Sequence, residues 1–333
     1  MKQAAEPVNL IKENSITITT PCRLHLGLME ICPQQANLFG GIGLMAESPS
    51  TCIEGVVGTV GNILELTIVA DAYWKSRIFN SCERWMSTLN ERDLPVKEIM
   101  LHQAASPHCG LGSGTQVACA VTAILERARG RKIPDIEQLK VLTGRGARSC
   151  VGLQGFMEGG FIVDFGHSQA MSRPSQRMSF PPHWRLLLVR VSNSQGDSGD
   201  AEQQMFHQCA SHPNPNRQHM LDLIESEIVP AVKSHDWERW DRSVGRYGYY
   251  AGSIFSKCQG GIYRTPEISR LVDLLMHRGC SGAAQSSWGP TVLVVAKDDD
   301  HSTWLINAIK EEFPDATIEC TVPQNNPASV LLK

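Results

Sequence analysis

The pattern of apolar and polar residues changes abruptly around residues 107–116. An apolar run ends at 99–101, and apolar residues then recur at helical spacing over 117–128, with charged residues on the other face. A stretch with three glycines separates the two patterns. The sequence therefore predicts a strand, a glycine-rich loop and a helix whose first turn is capped by Ser113 or Thr115.

The same patterns predict elements in the rest of the chain. Strands are expected at 15–28 with a break at Pro21, and at 52–57, 63–69, 95–103, 159–166, 184–191, 279–284, 291–296 and 316–322. Helices are expected at 71–90 with an interruption near Asn80, and at 134–142, 201–209, 218–233, 237–255, 266–277 and 302–313. A polar loop is expected at 192–200. Residues 173–182 are rich in Pro, Ser and Arg, which indicates a linker between an amino-terminal domain, 1–175, and a carboxy-terminal domain, 176–333.

Composition narrows the class of protein. The 333 residues suggest about two domains, and 42% hydrophobic with 20% charged residues is typical of a globular chain. A net charge of −3 offers no basic surface for nucleic acid or for a membrane, so we expect a small ligand. No membrane span and no signal peptide is recognisable, which predicts a cytoplasmic protein. The 11 cysteines include no Cys-x-x-Cys pair and are expected to be reduced thiols.

Two segments carry groups that suit an anion. Gly110, Gly112 and Gly114 let the backbone approach a ligand, and the helix that follows presents free N–H groups and a positive dipole end. A phosphate or pyrophosphate is the natural ligand, although a plain strand-to-helix turn would have the same glycines. Arg145 and Arg148, separated by small residues, form a second donor-rich segment; the alternative is a solvated loop.

Other polar residues stand out beside the predicted strands. Arg23 and His25 share one face of the first strand, which is either solvated or turned toward a ligand. Glu158 and Asp164 are the carboxylate pair nearest the two loops and are candidate metal ligands. An acid at a strand end such as Asp164 is also often a cap.

Three of these motifs together resemble a known superfamily. Pro21-x-Arg23-x-His25, the glycine loop at 107–115 and a turn at 282–291 are similar to the three motifs of the galactokinase, homoserine kinase, mevalonate kinase and phosphomevalonate kinase (GHMP kinase) superfamily. The resemblance implies an α+β, two-domain GHMP-kinase-like fold. Its amino-terminal domain would be like domain 2 of ribosomal protein S5, and its carboxy-terminal domain would be ferredoxin-like.

Within that superfamily the chain resembles the family of β-ribofuranosylaminobenzene 5′-phosphate synthases over about residues 15–322. The motifs concerned are Gly40–Gly43, Gly112–Gln116, Arg145–Ser149, Gly159–Asp164, Gln259–Gly261 and Gln285–Thr291, the last of which, Gln-Ser-Ser-Trp-Gly-Pro-Thr, is the most specific. Cys150, Ala283, Ala284 and Phe165 depart from the family pattern. Gly152 stands where the resemblance places the catalytic aspartate of the kinases, and glycine cannot accept a proton.

The resemblance implies a reaction and its partners. In that family 5-phosphoribosyl 1-pyrophosphate reacts with 4-hydroxybenzoate or 4-aminobenzoate, with release of CO2 and pyrophosphate, on the pathway to tetrahydromethanopterin. We therefore expect a pentosyltransferase that uses Mg²⁺, binds small molecules rather than nucleic acid or membranes, and can form a homodimer. The alternatives are an ATP-dependent small-molecule kinase of the same superfamily and a non-catalytic, ligand-sensing member.

The expected roles follow from the motif positions. Catalytic candidates are Arg23, His25, Arg148 and Asp164. Candidates for binding the substrate or its phosphates are Gly110, Leu111, Gly112, Ser113, Gly114, Thr115, Arg145, Ser149, Gln285, Ser286 and Ser287. Glu158 and Asp164 are the candidate metal ligands. His25 is either a general base or a buried structural histidine.

Overall fold

The computed structural model describes residues 14–31, 39–166, 173–191 and 214–333. The predicted loop at 192–200 and the predicted helix at 201–209 lie outside these ranges. Within them, no helix has the length and apolar character needed to span a bilayer. Eight described cysteines are free thiols, but Cys258 is disulfide-bonded, which corrects the prediction for that residue.

The first layer is a sheet built around two long strands. Its strands are β1 (Ser15–Leu28), β2 (Gly41–Val60), β3 (Thr67–Val69), β4 (Leu94–Gln103), β5 (Phe161–Asp164), β6 (Gln176–Met178) and β11 (Ser329–Leu332). The order is β11-β1-β2-β4-β3, with β5 paired to the first residues of β2 and β6 paired to β5. Among these described strands, only β3 and β4 run parallel to each other. The last described strand of the chain therefore completes the sheet that the first strand begins.

The helices of the first layer are α1 (Ala72–Leu89), α2 (Ser113–Ala128), α3 (Ile136–Thr143) and α4 (Val151–Glu158). Three of them, α1, α2 and α4, contact this sheet, and α3 packs against those three helices. Helix α2 is buried on nearly every side, since its residues from Gln116 to Glu126 are all buried. The one acid in that run, Glu126, accepts a hydrogen bond from Trp85 Nε1 at 2.7 Å. The glycine loop is thereby fixed at the end of a rigid, central helix.

The second layer is an antiparallel sheet with helices against it. Its order is β10 (Thr317–Thr321), β7 (Arg185–Arg190), β9 (Val292–Ala296) and β8 (Ala284–Gln285). The helices are α5 (Arg217–Leu223), a π-helical segment (Ile224–Ile228), α6 (Val229–Ser234), α7 (Trp237–Gln259), α8 (Pro266–His277) and α9 (Asp299–Glu312). Helix α7 contacts β1, and apolar residues from both layers pack together in one shared core.

Several predicted boundaries differ from the structure for local reasons. β1 continues through Pro21 because the sheet absorbs the proline in a register shift between Thr20 and Cys22. Helix α1 is continuous past Asn80. The predicted strand at 63–69 is a short 3₁₀ turn, Ile63–Glu65, followed by β3. The linker segment contributes β6 to the first sheet, so the chain changes layer after residue 178 rather than at 175.

A buried carboxylate ties α7 to the turn that leads into β8. Asp241 accepts hydrogen bonds from the amides of Ser281 and Gly282 at 2.7 and 2.8 Å, and from the Ser281 hydroxyl at 2.8 Å. Only 4% of Asp241 is exposed, so water cannot replace these bonds. This contact fixes the start of the 285–291 turn relative to α7.

We expect Asp241→Asn to lower the free energy of unfolding by about 2–3 kcal/mol, because the amide nitrogen faces donors that only an oxygen can satisfy. Urea unfolding measures the change. Asp222→Asn is the matched control: Asp222 is exposed and bonds only the Gln218 amide, so its loss should stay within about 0.5 kcal/mol. Equal effects of the two substitutions would contradict the anchoring role of Asp241.

Candidate active site

A cavity of about 640 Å³ opens where the two layers meet. Its size suits a ligand larger than a single phosphate. Contributions come from β1, the glycine loop, the 144–149 segment, α7 and the turn at 285–289. Of the residues predicted to form the site, the structure brings these to the cavity wall: Arg23, His25, Gly110, Leu111, Gly112, Ser113, Gly114, Thr115, Arg145, Arg148, Ser149, Gln285 and Ser287.

The glycine loop has a conformation that requires its glycines. Gly110 and Gly112 have φ values of +79° and +68°. A Cβ on Gly110 would lie 2.4 Å from the carbonyl oxygen of Ser286, and one on Gly112 would lie 2.8 Å from Arg23 Cβ. The loop is therefore pressed between β1 and the 285–291 turn, where a side chain has no room.

Helix α2 begins without a side-chain cap, which corrects the predicted cap by Ser113 or Thr115. Gly112 is the N-cap residue in the left-handed region, and its carbonyl accepts from the amides of Thr115 and Gln116 at 3.0 and 3.2 Å. The first amides of a helix have no acceptor within it. Because Ser113 and Gly114 line the cavity, those donors and the helix dipole are placed for an anion there.

The charge of the cavity wall also favours an anion. Its described lining contains four arginines, Arg23, Arg77, Arg145 and Arg148, and no Asp or Glu. Arg145 Nη2 lies 4.0 Å from where a Cβ on Gly114 would be. On the other side, the Arg23 side chain lies against Gly112 and Gly152. Guanidinium groups thus flank the start of α2 from two directions.

His25 lies in the floor of the cavity on β1. It is 4% exposed, and its Nδ1 accepts a hydrogen bond from the amide of Gly27 at 3.3 Å. Burial, together with the nearby Arg23 charge, lowers the pKa of His25 to about 3. Among the described residues, Nε2 has no hydrogen-bond partner.

Ser286 lies behind the cavity rather than in its wall. The residue is fully buried; its hydroxyl donates to the carbonyl oxygen of Gly110 at 2.7 Å and accepts from the amide of His25 at 3.0 Å. The next amide, of Ser287, donates to the carbonyl of His25 at 2.8 Å. The predicted substrate contact of Ser286 is thus replaced by a positioning role, since its hydroxyl is already engaged.

The two predicted metal ligands are not at the cavity. Asp164 is 2% exposed, and its two oxygens accept from the amides of Cys150 and Gly166 at 2.7 and 2.9 Å. It holds the chain between the 144–149 segment and α4, which corrects its assignment as a catalytic group. Glu158 is exposed at the far end of α4 and bonds Gln154. Nowhere in the described ranges are three His, Cys, Asp or Glu side chains grouped to hold a metal ion.

Aromatic side chains also line the cavity. Phe255 and Trp288 form an edge-to-face pair with centroids 4.5 Å apart, and Tyr263 is part of the same lining. The ring of Tyr73 meets that of His108 edge to face at 5.3 Å, and the Arg77 guanidinium lies 5.4 Å from the centre of the Tyr73 ring. Sequence reasoning missed Phe255, Tyr263, Tyr73, Arg77 and His108 because nothing in their local spacing marks them. Trp288 was visible only as part of the 285–291 motif.

Comparisons with known proteins agree with this geometry. Residues 228–315 match the family described as GHMP kinases C terminal. The solved structure of homoserine kinase from Cytophaga hutchinsonii superposes with a TM-score of 0.66 at 13% identity, over 96% of this chain and 98% of that one. Mevalonate diphosphate decarboxylase from Staphylococcus aureus gives 0.64 at 12% identity, over 95% and 98%. The chain therefore has the two-domain α+β fold of the GHMP kinases, as predicted.

Sequence similarity points to a particular group with that fold. The chain is 27% identical to beta-ribofuranosylphenol 5′-phosphate synthase of Methanothermobacter thermautotrophicus, over 95% of its own length and 98% of that protein. The synthase of the same name from Methanocaldococcus jannaschii is 25% identical, over 85% and 92%. The resemblance drawn from the motifs is thus confirmed over most of the chain.

We expect Gly114→Ala to weaken anion binding without disrupting the fold. A methyl group meets no protein atom closer than Arg145 Nη2 at 4.0 Å, so the fold should be kept and α2 stabilised by up to about 1 kcal/mol. The methyl group enters the cavity, however, and should weaken binding of inorganic pyrophosphate at least about tenfold through loss of an amide contact.

Calorimetric titration with pyrophosphate and a thermal unfolding scan give the two readouts for Gly114→Ala. Gly61→Ala is the matched control, because a Cβ there meets nothing within 4 Å and the residue is remote from the cavity lining. Unchanged pyrophosphate affinity in Gly114→Ala would place the anion elsewhere.

Proposed function

We propose that this chain is an enzyme that transfers the phosphoribosyl group of 5-phosphoribosyl 1-pyrophosphate to a 4-substituted benzoate, with release of pyrophosphate and CO2. The observation that carries the proposal is that one cavity has in its lining both the start of α2 with its arginines and an aromatic pair, Phe255 and Trp288. A donor with a diphosphate and an acceptor with an aromatic ring fit those two sets of groups. The names of the curated relatives support the same reaction.

The donor's diphosphate belongs at the glycine loop. When the bond between ribose C1 and oxygen breaks, its electron pair leaves with pyrophosphate, and negative charge grows on that group. The amides of Ser113 and Gly114, with Arg23 and Arg145 on either side, are fixed donors for this charge. Arg148, which is also in the lining, is the candidate for the 5-phosphate or the benzoate carboxylate.

Strand β1, in the floor of the cavity, determines the order in which the parts of the two substrates would lie. Arg23, His25 and Gly27 are alternate residues of β1, roughly 7 Å apart along the strand. Arg23 contacts the glycine loop, whereas Gly27 lies against Ala251 of α7. Ribose C1 would therefore lie over His25, between the diphosphate and an acceptor ring placed against Trp288 and its aromatic neighbours.

The chemistry needs no net proton transfer. The acceptor carbon that bears the carboxylate forms the bond to C1; the bond to the carboxylate then breaks, and its electrons restore the aromatic ring as CO2 departs. A para hydroxyl or amino group supplies electron density to that carbon. Because the curated relatives are named for a phenol product, we propose 4-hydroxybenzoate as the preferred acceptor, with 4-aminobenzoate as the alternative.

The described residues do not form a magnesium site of their own. Mg²⁺ prefers carboxylate and phosphate oxygens, and no carboxylate is found in the described lining. A requirement for Mg²⁺ stays a prediction.

The direct test mixes purified protein, Mg²⁺, 5-phosphoribosyl 1-pyrophosphate and carboxyl-labelled 4-hydroxybenzoate or 4-aminobenzoate. We expect labelled CO2 and pyrophosphate in equal amounts, a carbon-linked ribosyl product, and no need for ATP. A kinase would instead consume ATP, release ADP and leave the label on the benzoate. Binding of the phosphoribosyl donor without any product would identify a ligand-sensing protein. Either result contradicts the proposal.

Arg145→Ala should raise the KM for the phosphoribosyl donor by about 10- to 100-fold, since one charge-assisted contact to the diphosphate is lost. The KM of Arg145→Lys for the phosphoribosyl donor should lie between those of Arg145→Ala and the unsubstituted protein, because lysine keeps the charge but not the planar set of donors. Steady-state kinetics with each substrate varied in turn measures the effect, and the benzoate KM should change little. Arg270→Ala, which breaks an exposed pair with Glu312, is the control. A change confined to the benzoate KM would reassign Arg145.

A further inference from the structure

The two ring nitrogens of His25 have different surroundings. Nδ1 faces the amide of Gly27 at 3.3 Å, whereas Nε2 is buried without a partner among the described residues. A backbone amide can only donate, so Nδ1 must accept. In the neutral ring the hydrogen then sits on Nε2.

The surroundings of His25 keep the ring neutral. Burial is the larger cause of its low pKa, which is about 3, and the Arg23 charge adds to it. The charged and titratable groups of the described lining that share the cavity with His25 are Arg23, Arg77, Arg145, Arg148, Tyr73, Tyr263, His108 and Cys109. Tyr247 of α7 also packs here, donating its hydroxyl to the carbonyl of Gly27 at 2.9 Å. None of these is a carboxylate that could favour a protonated imidazole.

A buried N–H group without an acceptor lowers the stability of the fold. Because His25 belongs to the lining of the cavity, an oxygen atom of a ligand is the acceptor we expect for this N–H. We propose that the Nε2–H of His25 donates a hydrogen bond to a ribose hydroxyl oxygen of the phosphoribosyl donor and positions C1 over the strand. This role rests on the proposed function. The diphosphate is held at the loop and the acceptor ring at α7, so the sugar is the part of the substrates above His25.

The neutral state of the ring also matters for the chemistry. Positive charge develops on the ribose as pyrophosphate leaves, and a protonated imidazole below it would oppose that charge. The same Arg23 that faces the diphosphate end helps to keep His25 uncharged. A base is not required, because the reaction has no net proton to remove, and neither nitrogen of this tautomer can accept one while Nδ1 is bonded to Gly27.

Two substitutions of His25 test the roles of its two ring nitrogens separately. The side chain of His25→Gln can place an amide N–H near the Nε2 position, whereas His25→Asn can place an acceptor for Gly27 near the Nδ1 position and lacks the deeper donor. We expect His25→Asn to lower kcat/KM for the phosphoribosyl donor at least about tenfold relative to His25→Gln, which recovers part of the activity. Both should bind inorganic pyrophosphate like the unsubstituted protein, and thermal unfolding checks that both fold.

An NMR measurement on the unsubstituted protein tests the tautomer apart from activity. In a two-dimensional ¹⁵N–¹H spectrum of the imidazole, His25 should carry its hydrogen on Nε2 and should not titrate between pH 5 and 8. A hydrogen on Nδ1, a titration near the ordinary histidine pKa, or His25→Asn as active as His25→Gln would overturn the inference. If no ribosyl product forms with the unsubstituted protein, the proposed function fails, while the tautomer result still stands by itself.

Discussion

The site depends on one buried hydroxyl that joins three segments distant in sequence. Ser286 Oγ donates to the carbonyl of Gly110 in the glycine loop and accepts from the amide of His25 in β1. The loop and the strand belong to the first layer, whereas Ser286 belongs to the second. The wall of the cavity around the glycine loop is therefore complete only when the two layers are docked. The hydrogen bonds of Asp241 to the 281–282 amides fix this turn to α7, which itself contacts β1 of the first layer.

The cavity combines groups that suit a departing anion with a position that lacks a carboxylate. The fold supplies a helix start, a glycine loop and a strand floor, and we propose that these hold the diphosphate of the donor while the sugar carbon reacts. A Cβ on Gly152 would lie 3.1 Å from Thr115 Cγ2 and 3.4 Å from Arg23 Cδ, so the place of the kinase aspartate is narrow and borders an arginine. Positive charge there favours a departing anion over proton abstraction.

The parts of the site that are local in sequence could be predicted, and the parts made by tertiary contacts could not. The glycine loop and the Arg145–Arg148 segment can be recognised from the sequence. The loop needs glycine for its backbone conformation, and the segment carries two arginines whose charge suits an anion. Ser286 and Asp164 resemble ligands in sequence, yet the fold turns them inward to bind backbone amides and carbonyls. The pairing of β11 with β1 and the aromatic wall around Phe255 depend on contacts between distant residues, which no local periodicity encodes.

We propose that this cavity cleaves the bond between ribose C1 and oxygen, rather than a bond to phosphorus. This proposal is tested most directly by labelling with ¹⁸O the oxygen that joins ribose C1 to the diphosphate and analysing the products by mass spectrometry. If the bond to ribose C1 breaks, all of the label leaves in pyrophosphate. Label retained on the sugar would mean attack at phosphorus and would rule out cleavage at ribose C1.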